Sequence, residues 1–593
     1  MIETIYKNRK KFIIIGLTGR IGSGCTTTAN FLSQKVEDHK LKKICIDDYS
    51  NDKQRKKFII DKFYRENWKA FKIIRASDVI STFLLKYNFD ELNIILNKFG
   101  KKVKIVIEHL EKKEEFPIKK KSLYNRLKYY NEIITLDDSF KEEYNSAHKK
   151  FKDLHTQLNS PFSSLNTEKI YNLLTIDLIN ISKRIKEELS AKSYKNYTDI
   201  YQLIGDNIRL YGDIKIKESQ KDSKNIYTIS EYINKFIKKI KKYNDDNGNP
   251  TLIAIDAIRN PLESMFFKER YSAFYLFAIN SNDEDIEDRL LNMNNITRKD
   301  IKKQSIKENQ EKSLESLENF VSQNIQDCIS SSDIFIVNNG KFDSENYLEL
   351  HGQIIKYITL IMHPGLITPS LDEKMMQVAY TAKLNSGCLS RQVGASITNE
   401  YGSLKAIGWN SVPEGQTPCL LRNIDELNCN TKSISFSTYE KSKEFRGYIK
   451  DIPLINPRNG LNQSFCFKNI YTKNKKNENG EFPEKGNQVH TRSLHAEENA
   501  FMQLAKYGSE GIKGGTLYST ASPCELCSKK AYQLGMKRVV YIDPYPGIAR
   551  KQILSSGNFP PKIDLFKGAI GRAYHKLYEQ IIPFKDELNT IEK

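Results

Sequence analysis

Five short runs of continuously apolar residues constrain the fold of the first 340 residues more strongly than any other feature of this chain. They cover Phe12–Ile15, Ile44–Ile46, Leu252–Ile255, Phe274–Ile279 and Ile334–Val337. Such runs are typical of strands that are covered on both faces, as in a parallel sheet flanked by helices. They predict an α/β domain over residues 1–360.

The segment between the second and third runs differs, because its apolar residues recur at helical spacing. Leu174, Leu178, Ile181, Ile185 and Leu189 step by three or four positions and would line one face of a helix. A segment of roughly 200 residues is too long to be a structureless loop. We therefore predict a long helical insertion in the α/β domain, at about residues 51–250.

The pattern changes again near His363-Pro-Gly, which indicates a boundary before a second domain over residues 361–593. The Asn-, Lys- and Gly-rich segment Lys473–Gln488 is predicted to be a loop. The other predicted elements are a helix at Asp372–Leu384, strands at Gly394–Thr398, Leu404–Trp409, Thr516–Ser519 and Arg538–Ile542, and helices that begin at about Leu494 and at Cys524.

Charge and composition exclude some classes of protein and leave others open. Lys and Arg number 93 against 73 Asp and Glu, and the net charge of +20 fits either an RNA or DNA partner or a Lys-rich solvated surface. No stretch approaches the roughly 18 apolar residues of a membrane span, and the N-terminal apolar run is shorter than the about 7–15 residues of a signal-peptide core. The nine cysteines are mostly isolated, which argues against a disulfide framework. We expect a cytoplasmic protein without membrane association.

The strongest chemical signal is His495-Ala-Glu497, followed by Pro523-Cys524-Glu-Leu-Cys527. One imidazole and two thiolates can hold Zn²⁺ tetrahedrally and leave the fourth position to water. Cys524 and Cys527 are three positions apart, so at a helix start both sulfurs can face one point, and the helix N-terminus favours thiolates. Alone, the His495 segment would be an ordinary helix start, and the cysteine pair would be a structural zinc half-site or a redox pair. In this order they match the pattern of zinc nucleobase deaminases.

The predicted reaction is hydrolytic deamination. Glu497 follows the His ligand by two positions, so its carboxylate can reach the activated water without binding the metal. The metal would lower the pKa of the water, and Glu497 would carry protons from it to N3 of a pyrimidine and then to the leaving amine.

Two further segments narrow the substrate: Ser390-Arg-Gln-Val-Gly-Ala395 and Gly408-Trp-Asn-Ser-Val-Pro-Glu-Gly415. With the zinc pattern they resemble the deoxycytidylate deaminase family over about Leu371 to Pro546. The resemblance implies a C-terminal cytidine-deaminase-like α/β/α domain and a deoxycytidine nucleotide as the substrate.

The same resemblance implies roles for four residues. Asn410 would bond the deoxyribose hydroxyl, Arg391 and Lys506 would lie near phosphate, and Tyr545 would cover the base. A solvated surface charge is the alternative interpretation of Arg391 and Lys506.

Some relatives carry a second, structural zinc in the region between Pro413 and His495. Four potential donors fall there in this chain: Cys419, Cys429, Cys466 and His490. Their spacing is loose, so isolated thiols are the alternative to a second zinc site.

A glycine-rich loop follows the first apolar run. The residues are Gly19-Arg-Ile-Gly22-Ser23-Gly24-Cys25-Thr26-Thr27, which have the spacing of a Walker A loop. In such a loop the backbone N–H groups and the helix N-terminus cradle phosphates, and a Thr hydroxyl holds Mg²⁺. Cys25 stands where a lysine would contact the phosphates, which removes charge stabilisation for phosphoryl transfer. We predict a nucleotide with Mg²⁺ at this loop, with a degenerate loop kept as a scaffold as the alternative.

Downstream segments around Ile253–Asn260 and Asp333–Gly340 resemble elements of P-loop nucleotide kinases. The resemblance implies an N-terminal P-loop kinase-like parallel sheet in which Asp256 ends a strand, and it assigns Asp256 to nucleotide or phosphate binding together with the loop. It also implies that Arg289 and Arg298 are lid arginines.

A degenerate P-loop module before a deoxycytidylate-type deaminase domain resembles the bacterial anti-phage dCTP/dCMP deaminases. That resemblance implies antiviral defence by depletion of dCTP or dCMP, a regulatory small RNA as partner, and a homo-oligomer. Two other functions stay open. One is a base deaminase that acts on RNA or single-stranded DNA and uses the basic surface. The other is a nucleotide kinase in which the zinc module is a scaffold.

Overall fold

The computed structural model describes most of the chain, which divides into two compact units. Unit 1 comprises residues 1–332, 338–366 and 580–593, and unit 2 comprises residues 333–337 and 367–579. The described residues are 2–47, 50–97, 136–159, 167–190, 194–216, 218–292, 298, 317–340, 347–429, 432–450, 460–474, 490–508, 511–543 and 549–591. Tyr545 and most of the predicted loop Lys473–Gln488 lie outside them.

Unit 1 contains four parallel strands in the order β4-β1-β3-β2. Their bounds are β1 (Phe12–Thr18), β2 (Lys72–Arg75), β3 (Thr251–Asp256) and β4 (Phe274–Asn280). β1, β3 and β4 are buried along nearly their whole length, and three of the predicted apolar runs are thereby confirmed as strands. The carboxyl ends of the four strands lie side by side, at the edge where open parallel sheets bind ligands.

The strand predicted at Ile44–Ile46 is wrong. Ile44 N–H donates to Asp61 Oδ2 at 3.3 Å instead of to a strand, and Ile46 is exposed. The strand beside β3 is β2, in which only Ile73 and Ile74 are apolar. β2 is the last strand in the order and only partly buried, so a short apolar pair is enough to form it and gives little signal in the sequence.

Helices fill the described part of the segment between β2 and β3, within the range predicted as an insertion. The helices of unit 1 are α1 (Ile2–Lys11), α2 (Cys25–Leu32), α3 (Asp52–Asn67), α4 (Ala76–Leu84), α5 (Lys141–Phe151), α6 (Leu154–Asn159), α7 (Thr167–Asn172), α8 (Leu178–Ser190), α9 (Tyr194–Tyr211), α10 (Thr228–Asp246), α11 (Pro261–Arg270), α12 (Asp283–Leu291), α13 (Leu317–Val321), α14 (Ile325–Ser330) and α15 (Tyr347–Met362). No helix in the described residues is long and apolar enough to cross a membrane.

The insertion shares its core with the sheet. All five residues predicted to line one helix face are buried, four of them on α8 and Leu174 in the turn before it. They belong to one hydrophobic cluster with Ile14 of β1 and Ile253 of β3. This continuity explains why a long insertion is tolerated between two strands of one sheet.

Unit 2 contains a five-stranded mixed sheet in the order β10-β9-β8-β6-β7. Its strands are β6 (Gly394–Thr398), β7 (Leu404–Trp409), β8 (Thr516–Ala521), β9 (Arg538–Asp543) and β10 (Lys562–Leu565). Also in unit 2, β5 (Ile334–Val337) pairs antiparallel with β11 (Gly568–Ala569). The helices of unit 2 are α16 (Leu371–Lys383), α17 (Ile424–Cys429), α18 (Lys443–Lys450), α19 (Phe467–Asn474), α20 (Ala496–Tyr507), α21 (Glu525–Gln533), α22 (Ala549–Gln552) and α23 (Gly571–Tyr578), and α24 (Phe584–Ile591) returns to unit 1.

Helices cover both faces of the unit 2 sheet. Ala395 lies opposite Gly408 and shares its face, whereas Gly394 points to the other face. A Cβ atom at Gly408 would lie 2.3 Å from Ala496 O of α20, and one at Gly394 would lie 1.9 Å from Ala379 O of α16. The two helices therefore pack on opposite faces, so closely that only glycine fits at either position.

Candidate metal centre and phosphate loop

The three predicted zinc ligands lie at the N-termini of two helices. His495 is the N-cap residue of α20, Cys524 is the N-cap residue of α21, and Cys527 lies in the first turn of α21. Glu498 on α20 and Lys530 on α21 form an ion pair that holds the two helix starts together. Burial opposes ionisation of Glu498, but the hydrogen bond and charge of Lys530, together with the hydrogen bond and charge of His495, lower the pKa of that carboxyl.

The geometry of the three ligand atoms fits zinc. His495 Nδ1 lies 3.3 Å from Cys524 Sγ and 3.5 Å from Cys527 Sγ, and all three atoms lie within 4.8 Å of one another. In a tetrahedral site with Zn–N of about 2.0–2.1 Å and Zn–S of about 2.3 Å, nitrogen and sulfur are about 3.5 Å apart. Within the part of the chain that the structure describes, this is the only such group of three ligands.

The two thiols are unequal in the absence of a metal. The hydrogen bond from Cys527 lowers the pKa of Cys524, with burial opposing the shift and His495 adding to it. The same hydrogen bond, together with burial, raises the pKa of Cys527. A metal binds cysteine as thiolate, so metal binding at this pair releases protons.

Glu497 lies in the first turn of α20, buried, two positions after His495. Its Oε1 accepts a hydrogen bond from Ser519 Oγ at 2.9 Å. Burial raises the pKa of Glu497, and the Ser519 hydrogen bond opposes that shift. A buried carboxylate held beside three metal ligands is suited to general acid–base chemistry.

Ser519 is a site residue that the sequence analysis missed. On β8 it pairs with Ala395 of β6, which in turn lies opposite Gly408 of β7. Paired residues share a face, so all three point toward α20. The pairing of β8 with β6 cannot be read from the sequence. The only available signal was that side chains along a strand alternate between its two faces.

Arg391 lies just before β6 and Asn410 just after β7, and hydrogen bonds join the two segments. Asn410 Nδ2 donates to Arg391 O at 2.6 Å, and Val393 N–H donates to Asn410 Oδ1 at 2.7 Å. The side-chain amide of Asn410 therefore fixes the segment before β6, and it keeps one N–H and one lone pair for a further partner. The Arg391 guanidinium forms an ion pair with Asp543 at the end of β9.

The Arg391–Asp543 ion pair lies at the sheet edge that carries the metal ligands. Ser522 N–H donates to Asp543 O at 2.8 Å, and Ser522 comes two positions before Cys524. A cation thus stands at the same edge as the three ligand atoms, where the sequence predicted a contact to phosphate.

Lys506 lies in the last turn of α20, and its exposed side chain forms an ion pair with Glu414 of the loop after β7. The hydrogen bond to Glu414 raises the pKa of Lys506. This arrangement is compatible with a phosphate contact and equally with a solvated surface charge.

The four donors considered for a second zinc do not form a cluster of three ligands. Cys429 is exposed. Cys466 is partly buried and has Cys419 and Cys388 as neighbours, whose charges add to the rise in its pKa that burial causes. The ring of His490 lies against Tyr471, with ring centroids 4.7 Å apart. Cys388, which was not among the four predicted donors, thus lies near Cys466 as well.

The glycine-rich loop of unit 1 connects β1 to α2. Gly19 follows β1, and Gly22 and Gly24 adopt positive φ angles of 82° and 109°, which favour glycine. Ser23 and Cys25 are both buried, with Ser23 Oγ 3.7 Å from Cys25 Sγ. The Cys25 side chain therefore packs within the loop.

Two carbonyl groups of the glycine-rich loop accept hydrogen bonds from side chains of other segments. Asn338 Nδ2 donates to Ser23 O at 2.8 Å, and Arg289 Nη1 donates to Gly22 O at 3.1 Å. Carbonyls that point outward leave backbone N–H groups to converge on the inner side, as in anion-binding nests. The expectation of a lid role for Arg289 is wrong, because this residue is buried and bound to backbone carbonyls, whereas Arg298 is exposed.

The first turn of α2 carries Thr26 and Thr27. Thr26 Oγ1 donates to Asp256 Oδ2 at 3.1 Å, so the loop and the end of β3 meet at the sheet edge. Burial raises the pKa of Asp256, and the Thr26 hydrogen bond opposes that shift. A hydroxyl and a carboxylate in contact are the protein ligands that phosphate-binding loops offer to Mg²⁺.

Comparison with known proteins identifies the C-terminal region. Residues 369–543 match the family model described as the cytidine and deoxycytidylate deaminase zinc-binding region. The deoxycytidylate deaminase of Enterobacteria phage T2 is 29% identical over 174 residues, which are 29% of this chain and 79% of that protein. The phage T4 enzyme is 28% identical over 173 residues, which are 29% of this chain and 77% of that protein. A crystal structure of the dCMP deaminase from cyanophage S-TIM5 in complex with dCMP and dUMP is 23% identical, covers 34% of this chain and 99% of that chain, and has a TM-score of 0.20. The C-terminal region therefore contains a deaminase domain homologous to deoxycytidylate deaminases.

Proposed function

We propose that this protein is a zinc-dependent hydrolase that deaminates dCMP, dCTP or both to the corresponding deoxyuridine nucleotides. The observation that carries the proposal is the buried Glu497 carboxylate beside the cluster of His495, Cys524 and Cys527. A structural zinc site has no need of such a group. Homology of this region to deoxycytidylate deaminases supports the substrate class.

The residues of the chain supply proton transfer and orientation. Zinc, when bound, supplies a Lewis acid that lowers the pKa of a water from 15.7 to about 7. Glu497 takes a proton from the attacking water and passes it to N3 of the cytosine ring as the water oxygen bonds to C4. It then moves the remaining proton of that oxygen to the amine, so that the C4–N bond breaks, ammonia leaves and a carbonyl forms at C4. Ser519 holds the carboxylate in place throughout, because its hydroxyl donates to Glu497 Oε1.

Nucleotide recognition is assigned to residues around this cluster. Arg391 is the proposed contact to phosphate at the sheet edge, with Lys506 as a second cation. Asn410 is proposed to bond the sugar hydroxyl through the remaining N–H or lone pair of its side-chain amide. Tyr545 is proposed to cover the base. dCMP and dCTP share the reacting ring and differ only in their phosphate contacts.

The direct test is a deamination assay on the full chain. Purified zinc-loaded protein is offered dCMP, dCTP and a single-stranded DNA or RNA oligonucleotide that contains cytosine, beside a Glu497→Gln variant with the same zinc content. We expect ammonia and a deoxyuridine nucleotide from the free nucleotides, and a loss of about 100- to 10,000-fold in the variant. Conversion of the oligonucleotide alone would favour the nucleic-acid deaminase, which the net charge of +20 also fits. Equal rates for the two proteins would refute the proposal.

A second proposal concerns unit 1, where we infer a phosphate site at the glycine-rich loop. The converging N–H groups between Gly19 and Thr27 would hold phosphates of a nucleotide, and Thr26 with Asp256 would hold its Mg²⁺. The contact between Thr26 and Asp256 supports this assignment. We also propose that unit 1 has the fold of the P-loop nucleotide kinases, which its sequence resembles.

At the level of the cell, we propose depletion of cytoplasmic deoxycytidine nucleotides during phage infection. A regulatory small RNA and a homo-oligomeric assembly are part of this proposal, which rests on the resemblance to anti-phage deaminases. Nucleotide extracts of cells that express wild-type protein or His495→Ala test it. Loss of dCTP with a gain of dUMP or dUTP only in the wild type supports the proposal, and unchanged pools contradict it.

A further inference from the structure

Three strands of unit 1 end beside one another and bring three polar side chains to one edge. Thr26 follows β1 through the glycine-rich loop, Asp256 ends β3, and Arg75 ends β2. β1 pairs with β3, and β3 pairs with β2, so the three carboxyl ends are consecutive. Arg75 is thus two strands away from the loop along the edge at which parallel sheets bind ligands.

The Arg75 side chain reaches back toward the loop. Arg75 Nε lies 3.9 Å from Asp256 Oδ2, the same oxygen atom that accepts the hydrogen bond from Thr26 Oγ1 at 3.1 Å. Arg75 Nη2 donates to Asn30 Oδ1 at 3.3 Å, and Asn30 lies one turn after Thr26 on α2. The guanidinium therefore lies along the loop helix and beside the proposed Mg²⁺ ligands.

The neighbouring carboxylates leave much of the Arg75 hydrogen-bonding capacity unused. Its contacts with Asp256 and Asp78 are both 3.9 Å, longer than the about 2.7–3.2 Å of an N–H···O hydrogen bond. Lys186 is the nearer partner of Asp78, at 2.8 Å. The Arg75 side chain remains 25% exposed, so an anion at the edge can reach its N–H groups.

The loop itself supplies no cation to a phosphate. Cys25 occupies the lysine position, and its sulfur is buried near Ser23 Oγ. Arg20 is committed elsewhere, because Nη1 pairs with Asp283 at 2.6 Å and Nη2 donates to Ser281 O at 3.1 Å. A polyphosphate at this loop carries several negative charges, and the loop would offer it only the dipoles of backbone N–H groups.

We propose that Arg75 replaces the missing lysine and contacts the outer phosphate of a nucleoside triphosphate held at the glycine-rich loop. A guanidinium suits this task, because its planar fork can bind two phosphate oxygens at once. The inference rests on the proposed phosphate site of unit 1 and is independent of the proposed deamination.

Equilibrium binding to the full chain tests the role of Arg75. The probe is the fluorescent analogue mant-ATP with Mg²⁺, competed with inorganic tripolyphosphate to show that phosphates are recognised. Arg75→Ala is expected to raise the Kd about ten-fold or more, and Arg75→Lys to raise it less. Lys72→Ala is the matched control, since Lys72 lies exposed at the other end of the same strand, and its Kd should equal that of wild type. Wild-type protein that does not bind the probe, or Arg75→Ala with an unchanged Kd, would overturn the inference.

A measurement on wild-type protein avoids any loss of fold in the variants. Phenylglyoxal modifies exposed arginines, and mass spectrometry reports the rate for each one. Mant-ATP or tripolyphosphate should slow modification of Arg75 several-fold and leave Arg55, exposed on α3, unchanged. Equal rates at Arg75 with and without ligand would overturn the inference. dCMP turnover is measured on the same preparations, so an inactive deaminase site with intact protection would refute only the proposed deamination.

Discussion

At the residue scale, the proposed deamination depends on how the Glu497 carboxylate is held. Glu497 is buried and has a hydroxyl partner in Ser519 at 2.9 Å. A carboxylate held in this way loses fewer orientations when it moves a proton than one in water. The hydrogen bond thus acts on the geometry of proton transfer and not on nucleotide binding.

Removal of the Ser519 hydroxyl should therefore slow the chemical step. A hydrogen bond to a charged group contributes about 1.5–3 kcal/mol, so Ser519→Ala is expected to lower kcat about 10- to 100-fold with KM nearly unchanged. Steady-state kinetics on dCMP, with zinc content measured in parallel, provides the check.

Ser396→Ala is the matched control for this prediction. Ser396 is also a buried serine of the sheet, but its hydroxyl donates to Met375 O. Its loss should lower stability and leave kcat near the wild-type value. An equal fall in kcat in both variants would show that Ser519 acts only through the fold.

At the element scale, α20 carries the proposed proton-transfer residue and lies close against β7 at Gly408. Asn499 Nδ2 donates to Trp409 O at 3.0 Å, and Gly408 faces the helix backbone. The distance between β7 and α20 therefore sets where His495 and Glu497 stand relative to β8.

A methyl group at Gly408 should force the helix away from the strand. The new Cβ atom would lie 2.3 Å from Ala496 O and 2.5 Å from Ala500 N, which are backbone atoms that cannot rotate away. Gly408→Ala is expected to lower the free energy of unfolding by about 1–3 kcal/mol and to weaken zinc binding. Urea unfolding and zinc titration measure both effects.

Gly447→Ala is the control for that substitution. Gly447 lies within α18, and among the described residues no atom outside the adjacent helix backbone lies within 4 Å of the position of its added Cβ atom. The change should be neutral or stabilise by up to about 1 kcal/mol. A similar loss of stability in both variants would contradict the packing argument.

A histidine also ties the helices of unit 1 together. His155 on α6 lies with Nδ1 2.5 Å from Tyr232 Oη on α10 and with Nε2 3.2 Å from Thr82 O on α4. Burial lowers its pKa from 6.5 to about 4, with Lys86 and Lys235 adding to the shift and Asp213 opposing it.

This pKa shift predicts how stability varies with pH. Between pH 6.5 and 4 the unfolded chain protonates this imidazole and the folded chain does not, so the free energy of unfolding falls as pH is lowered through that window. His155→Gln should flatten the pH dependence of the unfolding midpoint in this window. The pKa of His351 is also lowered to about 4, but this residue is present in both proteins and cancels in the comparison. An unfolding midpoint that varies with pH as steeply in His155→Gln as in wild type would contradict the assignment.

At the scale of the whole molecule, two compact units have separate hydrophobic clusters. One cluster extends from the unit 1 sheet into the helical insertion, and another lies between α20 and the unit 2 sheet. The proposed zinc ligands belong only to unit 2, and ligand binding stabilises only the structure that contains the site.

Zinc removal should therefore affect one of two thermal transitions. Calorimetry of the full chain is expected to show two transitions, of which chelation shifts one downward. Zinc at 100 times its Kd stabilises the bound unit by about 2.7 kcal/mol. Cys527→Ala should abolish the shift, whereas Cys429→Ala, at an exposed cysteine outside the cluster, should preserve it. A shift of both transitions, or of neither, would contradict the prediction.

Patterns within a few neighbouring residues were sufficient to predict several elements. β6 and β7 begin and end as predicted, and α8 carries the predicted apolar face. The His495 and Cys524 segments were recognisable for the same reason, since ligand spacing along a helix start is local. β2 escaped prediction because an edge strand with two apolar residues is stabilised mainly by its partner β3.

The sequence by itself determined the donor types, the spacing of the two proposed metal-binding segments and the glycines of the glycine-rich loop. Tertiary structure decided that Ser519 meets Glu497, that Arg75 shares an oxygen of Asp256 with Thr26, and that Arg289 supports the loop instead of covering it. Local patterns follow from backbone geometry over one or two turns. Contacts between distant residues follow from strand register and helix packing, which depend on the whole core at once.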